Sequence, residues 1–284
     1  MAEQTNRDLV LAPVEFAYVL DTTKGIVSVL VGPFKTSPSQ TDQTVLWDPA
    51  TGRYKRVELD KAVQSFVSVP EGHYVRLTNP AAQDNQHPEE GKSNNLVKIL
   101  TGRLINVPGP AYFAIWPGQS ADVIPGHLLR SNEYLVVSIY NEEQARSNWT
   151  RGVVKPQTQA STGTTGEGGD GKEKEGEKGA SPDSKPQAPP VVNAAVSPES
   201  ITMGQRFIIE GTKVSFYIPP TGVEVVRDAN DKLVRDAVTL ERLEYCILLD
   251  EDGNKRYVQG PDVVFPNPTE IFVEMEGKRK FKAI

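Results

Sequence analysis

The chain has 284 residues, 38% of them hydrophobic and 24% charged, and a formal net charge of −6. That acidic balance argues against a broad nucleic-acid surface, which needs clustered Lys and Arg. A single cysteine, Cys246, excludes an internal disulfide framework, and no apolar run approaches the roughly 18–20 residues of a membrane-spanning helix.

In chain order, residues 1–12 form a polar lead into Leu9–Ala12. Phe16–Asp21 and Ile26–Val31 read as two strands of a hairpin with Gly25 at the turn. Gly32-Pro33 stops the second strand, because proline cannot donate to a ladder. Thr44–Trp47 and Arg53–Leu59 form another hairpin around Asp48–Gly52, and Gln64–Val69 alternates up to Pro70. Tyr74–Leu77 is a strand that ends at the Asn79-Pro80 turn. Ala81–Asn94 reads as a polar, exposed loop. Leu96–Asn106 has strand propensity interrupted at Thr101-Gly102, and Ala111–Trp116 is aromatic-rich. Strands are then expected at Gly126–Leu129, Tyr134–Tyr140, Arg206–Glu210, Val214–Ile218 and Val223–Val226. Five more follow at Val238–Leu240, Glu244–Leu249, Lys255–Val258, Val263–Phe265 and Ile271–Met275, and Phe281–Ile284 reads as the start of another. Only Asp60–Phe66 and Glu142–Ser147 offer a turn or two of helix. The fold class is all-β.

A cassette recurs through these strands. Each copy opens on a tyrosine leading a β-type run, at Tyr18, Tyr74, Tyr134 and Tyr245. Each closes on a glycine, an apolar stretch and a proline, beginning at Gly32, Gly109, Gly211 and Gly260. The landmarks divide the chain into a lead, 1–12, and four β repeats, 13–68, 69–122, 123–226 and 227–284. The third contains an insert, 153–197, unlike the rest. Without it, all four repeats share a period of about 54–59 residues. The insert has no aromatic residue, and its Glu167–Lys178 core mixes both charge signs. Such a segment buries too little apolar surface to offset the entropy of ordering and reads as disordered. Closure cost grows slowly with loop length. The strands on either side, Tyr134–Tyr140 and Arg206–Glu210, are therefore expected to pair across it.

The residues offer little chemistry. His73, His87 and His127 are far apart in sequence, and no metal site, cofactor site or catalytic residue is assigned. His87 lies in a loop with Asp84, Glu89 and Glu90, where solvation is the simpler reading. His73 and His127 follow Pro-Gly-type turns and suggest a shared place in the repeat. Asp250–Asn254 is similar to part of a calcium loop but lacks the later glutamate and flanking helices, so a hairpin turn is expected. Lys278, Arg279, Lys280 and Lys282 form a small basic cluster, read as the solvated face of a strand. Asn148-Trp149-Thr150 matches a glycosylation sequon, without a secretory signal at the N-terminus to support its use. There is no phosphate-binding loop, dinucleotide fingerprint or nucleophile elbow.

The chain resembles the N-terminal repeats of the major vault protein family. In the first two repeats the resemblance rests on Tyr18–Asp21, Val29, Val31-Gly32-Pro33, Val45-Leu46, Val67–Pro70, His73-Tyr74, Asn79-Pro80 and Asp84. In the third it rests on Gly204–Phe207, Gly211, Tyr217–Pro219 and Val223–Val226, and in the fourth on Tyr245–Leu248, Asp250, Asp252-Gly253, Lys255-Arg256 and Gly260-Pro261. The family's shoulder domain and long cap helix have no counterpart here. The resemblance implies small antiparallel β domains packed side by side as staves of a hollow ribonucleoprotein shell. The expected function is therefore a non-enzymatic, self-assembling structural protein, homo-oligomeric through lateral packing, with other particle proteins as further expected partners. It would be cytoplasmic, with no nucleic-acid site of its own and no membrane attachment. Two alternatives stand beside it: a virion or phage-particle component built on the same repeat, and a small-ligand binding module.

Overall fold

The computed structural model describes residues 8–83, 86–157 and 200–282. They are all-β apart from two short helices, Leu59–Ala62 and Glu142–Asn148, and one turn of 3-10 helix at Trp149–Arg151. The reading of disorder falls, from residue 158 to 197, outside the described residues.

One plan recurs four times. A short strand enters a four-residue turn that leads into a long central strand. A second strand pairs with the central one, and a glycine then sends the chain into another short strand that pairs back with the first. A second four-residue turn delivers a third strand to the free side of the central strand. The leading short strands are Leu9–Leu11, Val67–Val69, His127–Leu128 and Val238–Leu240, and the central strands are Glu15–Asp21, His73–Thr78, Glu133–Ile139 and Glu244–Leu249. The second strands, Ile26–Val31, Leu104–Pro108, Arg206–Glu210 and Lys255–Gln259, all run antiparallel to their central strands. The returning short strands are Phe34–Thr36, Ala111–Phe113, Val214–Ile218 and Asp262–Val264. The third strands begin at Asp42, Ser120, Val223 and Ile271. In modules 1, 3 and 4 the chain leaves the third-strand position and returns at Gln64–Ser65, Val234–Asp236 and Phe281–Lys282.

The strands across the insert pair as expected, from Tyr134 opposite Glu210 to Ser138 opposite Arg206. The order of the chain reaches further into the insert than the composition indicates. Val153–Pro156 is a strand beside Val214–Ile218, and the Ser215 hydroxyl donates to Pro156 O at 3.0 Å. The leading segment likewise contains a working strand, since Leu9–Leu11 pairs with Phe34–Thr36.

Three expectations need correction. The tyrosines are not all equivalent. Glu15, His73, Glu133 and Glu244 each accept from the N–H of their module's closing glycine at 2.8 Å. The residues that follow them, and match one another, are Phe16, Tyr74, Tyr134 and Tyr245, so Tyr18 lies two residues further along. His73 and His127 are not equivalent either: His73 opens a central strand, whereas His127 lies in a leading short strand. Nor is Ala81–Asn94 simply a solvated loop. Ala81 is buried, Ser93–Asn95 pairs with Ile26–Val31, and the Trp116 indole donates to Gln86 O at 2.6 Å.

The chain divides into two compact units. The first comprises residues 1–126, 141–151 and 218–223, and the second residues 127–140, 152–217 and 224–284. Alternation along each central strand sends one face to the module's own core. Ala17 packs with Leu9, Leu11 and Leu30 in module 1, Val75 with Val69 and Phe113 in module 2, and Cys246 and Leu248 with Val238, Leu240 and Val264 in module 4. In modules 1 and 3 the opposite face meets the following module. Within the first unit, Phe16 and Tyr18 pack with Phe66, Ala114 and Trp116, and within the second, Tyr134 and Val136 pack with Ala237, Val263 and Phe265.

Candidate functional site

The polar residues of the modules are used in the frame. In the turn before each central strand, the fourth residue's N–H donates to the first residue's carbonyl at 3.0–3.2 Å. This geometry leaves the first residue's own N–H without a backbone partner. In three modules the fourth residue supplies a carboxylate for it: Ala12 N–H donates to Glu15 at 2.8 Å, Arg130 N–H to Glu133 at 2.8 Å and Glu241 N–H to Glu244 at 2.9 Å. In module 2 the first residue is Pro70, which has no N–H, and the fourth is His73, which supplies no carboxylate.

The turn before the third strand follows the same rule. Ser39 N–H donates to the Asp42 carboxylate at 2.9 Å, Trp116 N–H to the Gln119 amide oxygen at 2.9 Å and Asn267 N–H to Glu270 at 2.8 Å. In module 3 the first residue is again a proline, Pro220, and the fourth is Val223. Pattern reading by hydrophobic periodicity passes over this pairing. A proline, or else an acceptor three residues on, was its signal in the sequence.

The closing glycines complete the frame. A Cβ on Gly32, Gly109, Gly211 or Gly260 would lie 1.8, 2.2, 1.8 or 2.3 Å from the carbonyl oxygen of the first turn residue, Ala12, Pro70, Arg130 or Glu241. Close backbone approach requires glycine here, with no left-handed φ involved.

Charges support the same scaffold. The Glu241 N–H and the Lys280 ammonium, 3.0 Å away, hold the Glu244 carboxyl below its ordinary range. Arg256 grips Glu270 through two hydrogen bonds of 2.6 and 2.9 Å and, with the Asn267 N–H, holds it low. The basic cluster is thus partly paired, with Lys280 on Glu244 and Arg279 on Glu274. The calcium-like segment is a hairpin turn. The Asp250 carboxylate accepts from Asp252 N–H, Asn254 N–H and the Asn254 amide, so its oxygens already have donors.

His87 stacks on Phe113 with centroids 3.8 Å apart, and its buried Nδ1 has no partner among the described residues. Burial pushes its pKa down to about 4, and that of His127 likewise. Glu89 is paired with Lys92. Cys246 is buried in the module 4 core, and burial raises its thiol pKa. Among the described residues no three His, Cys, Asp or Glu side chains gather as a metal site would require. No helix among them is long and apolar enough to cross a membrane. The sequon residue Asn148 ends a helix and donates its amide to Gln144 O at 2.8 Å.

A cleft of about 770 Å³ lies within the first compact unit. Its lining includes Ile105, Asn106, Gln144, Ile218 and the exposed guanidinium-bearing residues Arg103 and Arg151. Asn106 fixes one wall. Its amide donates to Pro219 O, Pro220 O and Val223 O at 3.2 Å each, and its N–H donates to the Thr221 hydroxyl at 3.0 Å. No protein-family model matches the chain, and no curated protein sequence is recognisably similar to it.

Proposed function

We propose that the chain is a non-enzymatic structural repeat protein whose copies pack side by side into a shell, ring or fibre of the vault type. The observation that supports this reading is the set of open sheet edges. Among the described residues Ser120–Pro125, Arg206–Glu210 and Lys255–Gln259 each pair with another strand on one side only. Open edges must be covered, paired or blunted. Here charges blunt them: Asp122, Arg206, Lys255 and Arg256 sit on those strands. Side-chain packing between neighbouring copies therefore suits them better than continuous strand addition. The use of polar residues in turns and ion pairs fits a scaffold better than an enzyme.

Light scattering after gel filtration, followed by negative-stain microscopy over a range of salt, tests the reading. Symmetric particles, rings or rods that hold or grow as salt screens the net charge are expected. A monomer at high concentration across that range would overturn it.

The cleft favours a second reading, a small-ligand binding module, since its volume lies in the range of ligand sites. The residues Arg103 and Arg151 suit an anionic ligand. Thermal-shift screening with phosphates and carboxylates, repeated on Arg103→Ala, tests it. A rise in melting temperature that the variant loses supports the reading, and no rise with any anion discards it.

A further inference from the structure

Arg53–Arg56 is an edge strand of the module 1 sheet. It pairs with Asp42–Asp48, from Val45 opposite Arg56 to Asp48 opposite Arg53, and among the described residues no strand lies on its other side. Arg53, Lys55 and Arg56 are exposed. Among the described residues none of the three has a carboxylate within ion-pair distance. The Asp48 carboxylate accepts from the Ala50 N–H at 3.0 Å, and Glu58 is paired with Lys61 at 3.0 Å. The other open edges differ. Asp122 faces Arg76 at 3.9 Å, Glu210 holds Lys213 at 2.8 Å, and Arg256 grips Glu270.

The backbone of this strand is set for a further partner. Ladder bonds alternate along an antiparallel strand. Val57 N–H donates to Thr44 O at 3.0 Å, so Val57, Lys55 and Arg53 turn their backbone groups toward Asp42–Asp48. The N–H and C=O groups of Tyr54 and Arg56 therefore line the open side. Both ends of the strand are pinned. Gly52 N–H donates to Asp48 O at 2.9 Å, and the Thr44 hydroxyl to Val57 O at 2.7 Å. The Tyr54 ring packs edge-on against Trp47 with centroids 5.1 Å apart. A strand held in this way loses little freedom when another is added to it.

We propose that the Arg53–Arg56 edge is a docking strand for an extended, acidic segment of a partner protein, added to the sheet through backbone hydrogen bonds. Side chains alternate between faces, so Arg53 and Lys55 lie on one face and Tyr54 and Arg56 on the other. The matching segment carries carboxylates at alternate positions opposite Arg53 and Lys55, and an apolar residue against Tyr54. Opposite charges across a strand pair favour this partner, and like charges oppose a second copy of the same strand. The chain's net charge of −6 repels an acidic partner at long range. At about 0.15 M salt the Debye length is about 8 Å, so contact with Arg53, Lys55 and Arg56 prevails over the distant carboxylates. Salt weakens this contact but screens the repulsion between whole copies, so docking and side-by-side packing respond oppositely to salt.

Fluorescence polarisation of a labelled peptide of alternating Glu and Val, titrated with the full chain to about 1 mM, tests the proposal. Binding that weakens by about tenfold or more between about 0.1 and 1 M salt is expected. Lys55→Glu and Arg53→Glu should each weaken it by about tenfold or more. Both side chains are exposed, so circular dichroism should show unchanged folding. Lys255→Glu, on another open edge, should leave binding unchanged. N-methylation of one alternate set of peptide amides should abolish binding and that of the other set should spare it, because only one set faces the sheet. Absence of binding overturns the proposal, and so does binding that Lys55→Glu leaves intact. Two methylated peptides that bind alike would mean charge attraction without strand addition. An oligonucleotide of equal charge that binds as tightly as the peptide would mark a general polyanion surface. Either of these results overturns the proposal too.

Discussion

Gly25→Ala and Gly32→Ala make a matched pair within module 1. By residue type they read alike, because replacing glycine by alanine restricts the unfolded chain and stabilises by about 0.4–1 kcal/mol wherever the native backbone permits. The structure separates them. Gly25 has a φ of +67° and nothing within 4 Å of an added Cβ. Its substitution incurs only the left-handed backbone cost, about 1–2 kcal/mol. At Gly32 the added Cβ would sit 1.8 Å from Ala12 O, 2.8 Å from the Ala12 carbonyl carbon and 3.1 Å from Leu11 O. These are backbone atoms and cannot swing aside. Relieving the closest contact to 3.0 Å requires the two segments to part by about 1.2 Å. That movement breaks the Gly32 N–H bond to Glu15 O at 2.8 Å and strains the Glu15 N–H bond to Ala12 O at 3.2 Å. Each is worth roughly 1 kcal/mol. It also disturbs the packing of Leu11 and Val31, an overpacking cost of about 1–3 kcal/mol. After the small unfolded-state gain, Gly32→Ala should lose about 3 kcal/mol or more. Trp47, Trp116 and Trp149 all lie in the first compact unit, so tryptophan emission during urea unfolding reports on the unit that carries both substitutions. Gly32→Ala should unfold well before Gly25→Ala. If Gly32→Ala matches the wild type, or ranks level with Gly25→Ala, the close-approach argument is wrong.

Three further outcomes are expected. Pro70→Ala creates a turn N–H without its carboxylate and should cost up to about 1 kcal/mol. Adding His73→Glu should restore the loss, and urea midpoints of the four-member cycle measure the coupling. His87 is neutral in the fold, with its pKa lowered from 6.5 to about 4 by burial. The unfolded chain binds that proton more readily, so stability is whole above pH 6.5 and declines as pH falls toward 4. His87→Phe keeps the stack on Phe113 and should flatten the fall of melting temperature over that window, and an unaltered slope would contradict the assignment. Finally, a protease site placed between Asp170 and Gly171 should yield two fragments that co-elute on gel filtration, because Tyr134–Ser138 pairs with Arg206–Glu210. Fragments that separate under native conditions would show that these strands do not hold the module.

The period-two runs made most strands legible, and a glycine recurs at the same close contact in each module because a backbone–backbone approach tolerates no other residue there. Tyr18 misled for a physical reason. Phe16 and Tyr18 both lie on the outward face, and an aromatic ring serves at either position, so ring identity does not fix register. The residue one place before the matched aromatic does, through its bond with the closing glycine and, in three modules, its carboxylate on the turn. His73 follows Pro70-Glu71-Gly72 and His127 follows Pro125-Gly126, yet they serve different strands, since proline and glycine mark turns of several kinds. The cleft was not legible at all. It is assembled from Arg103–Pro108, the Glu142–Asn148 helix and Ile218–Thr221, segments brought together only by the fold.

The turn rule also sets the order in which these sequences can drift. Where the first position already holds proline, the fourth is released from its duty as acceptor and is free to become histidine or valine, as at His73 and Val223. Taken the other way round, losing the acceptor first passes through a turn with a stranded N–H. Substitution at these paired sites is therefore directional: proline is the permissive step, and each module that takes it gains one side chain to spend on something other than its own architecture.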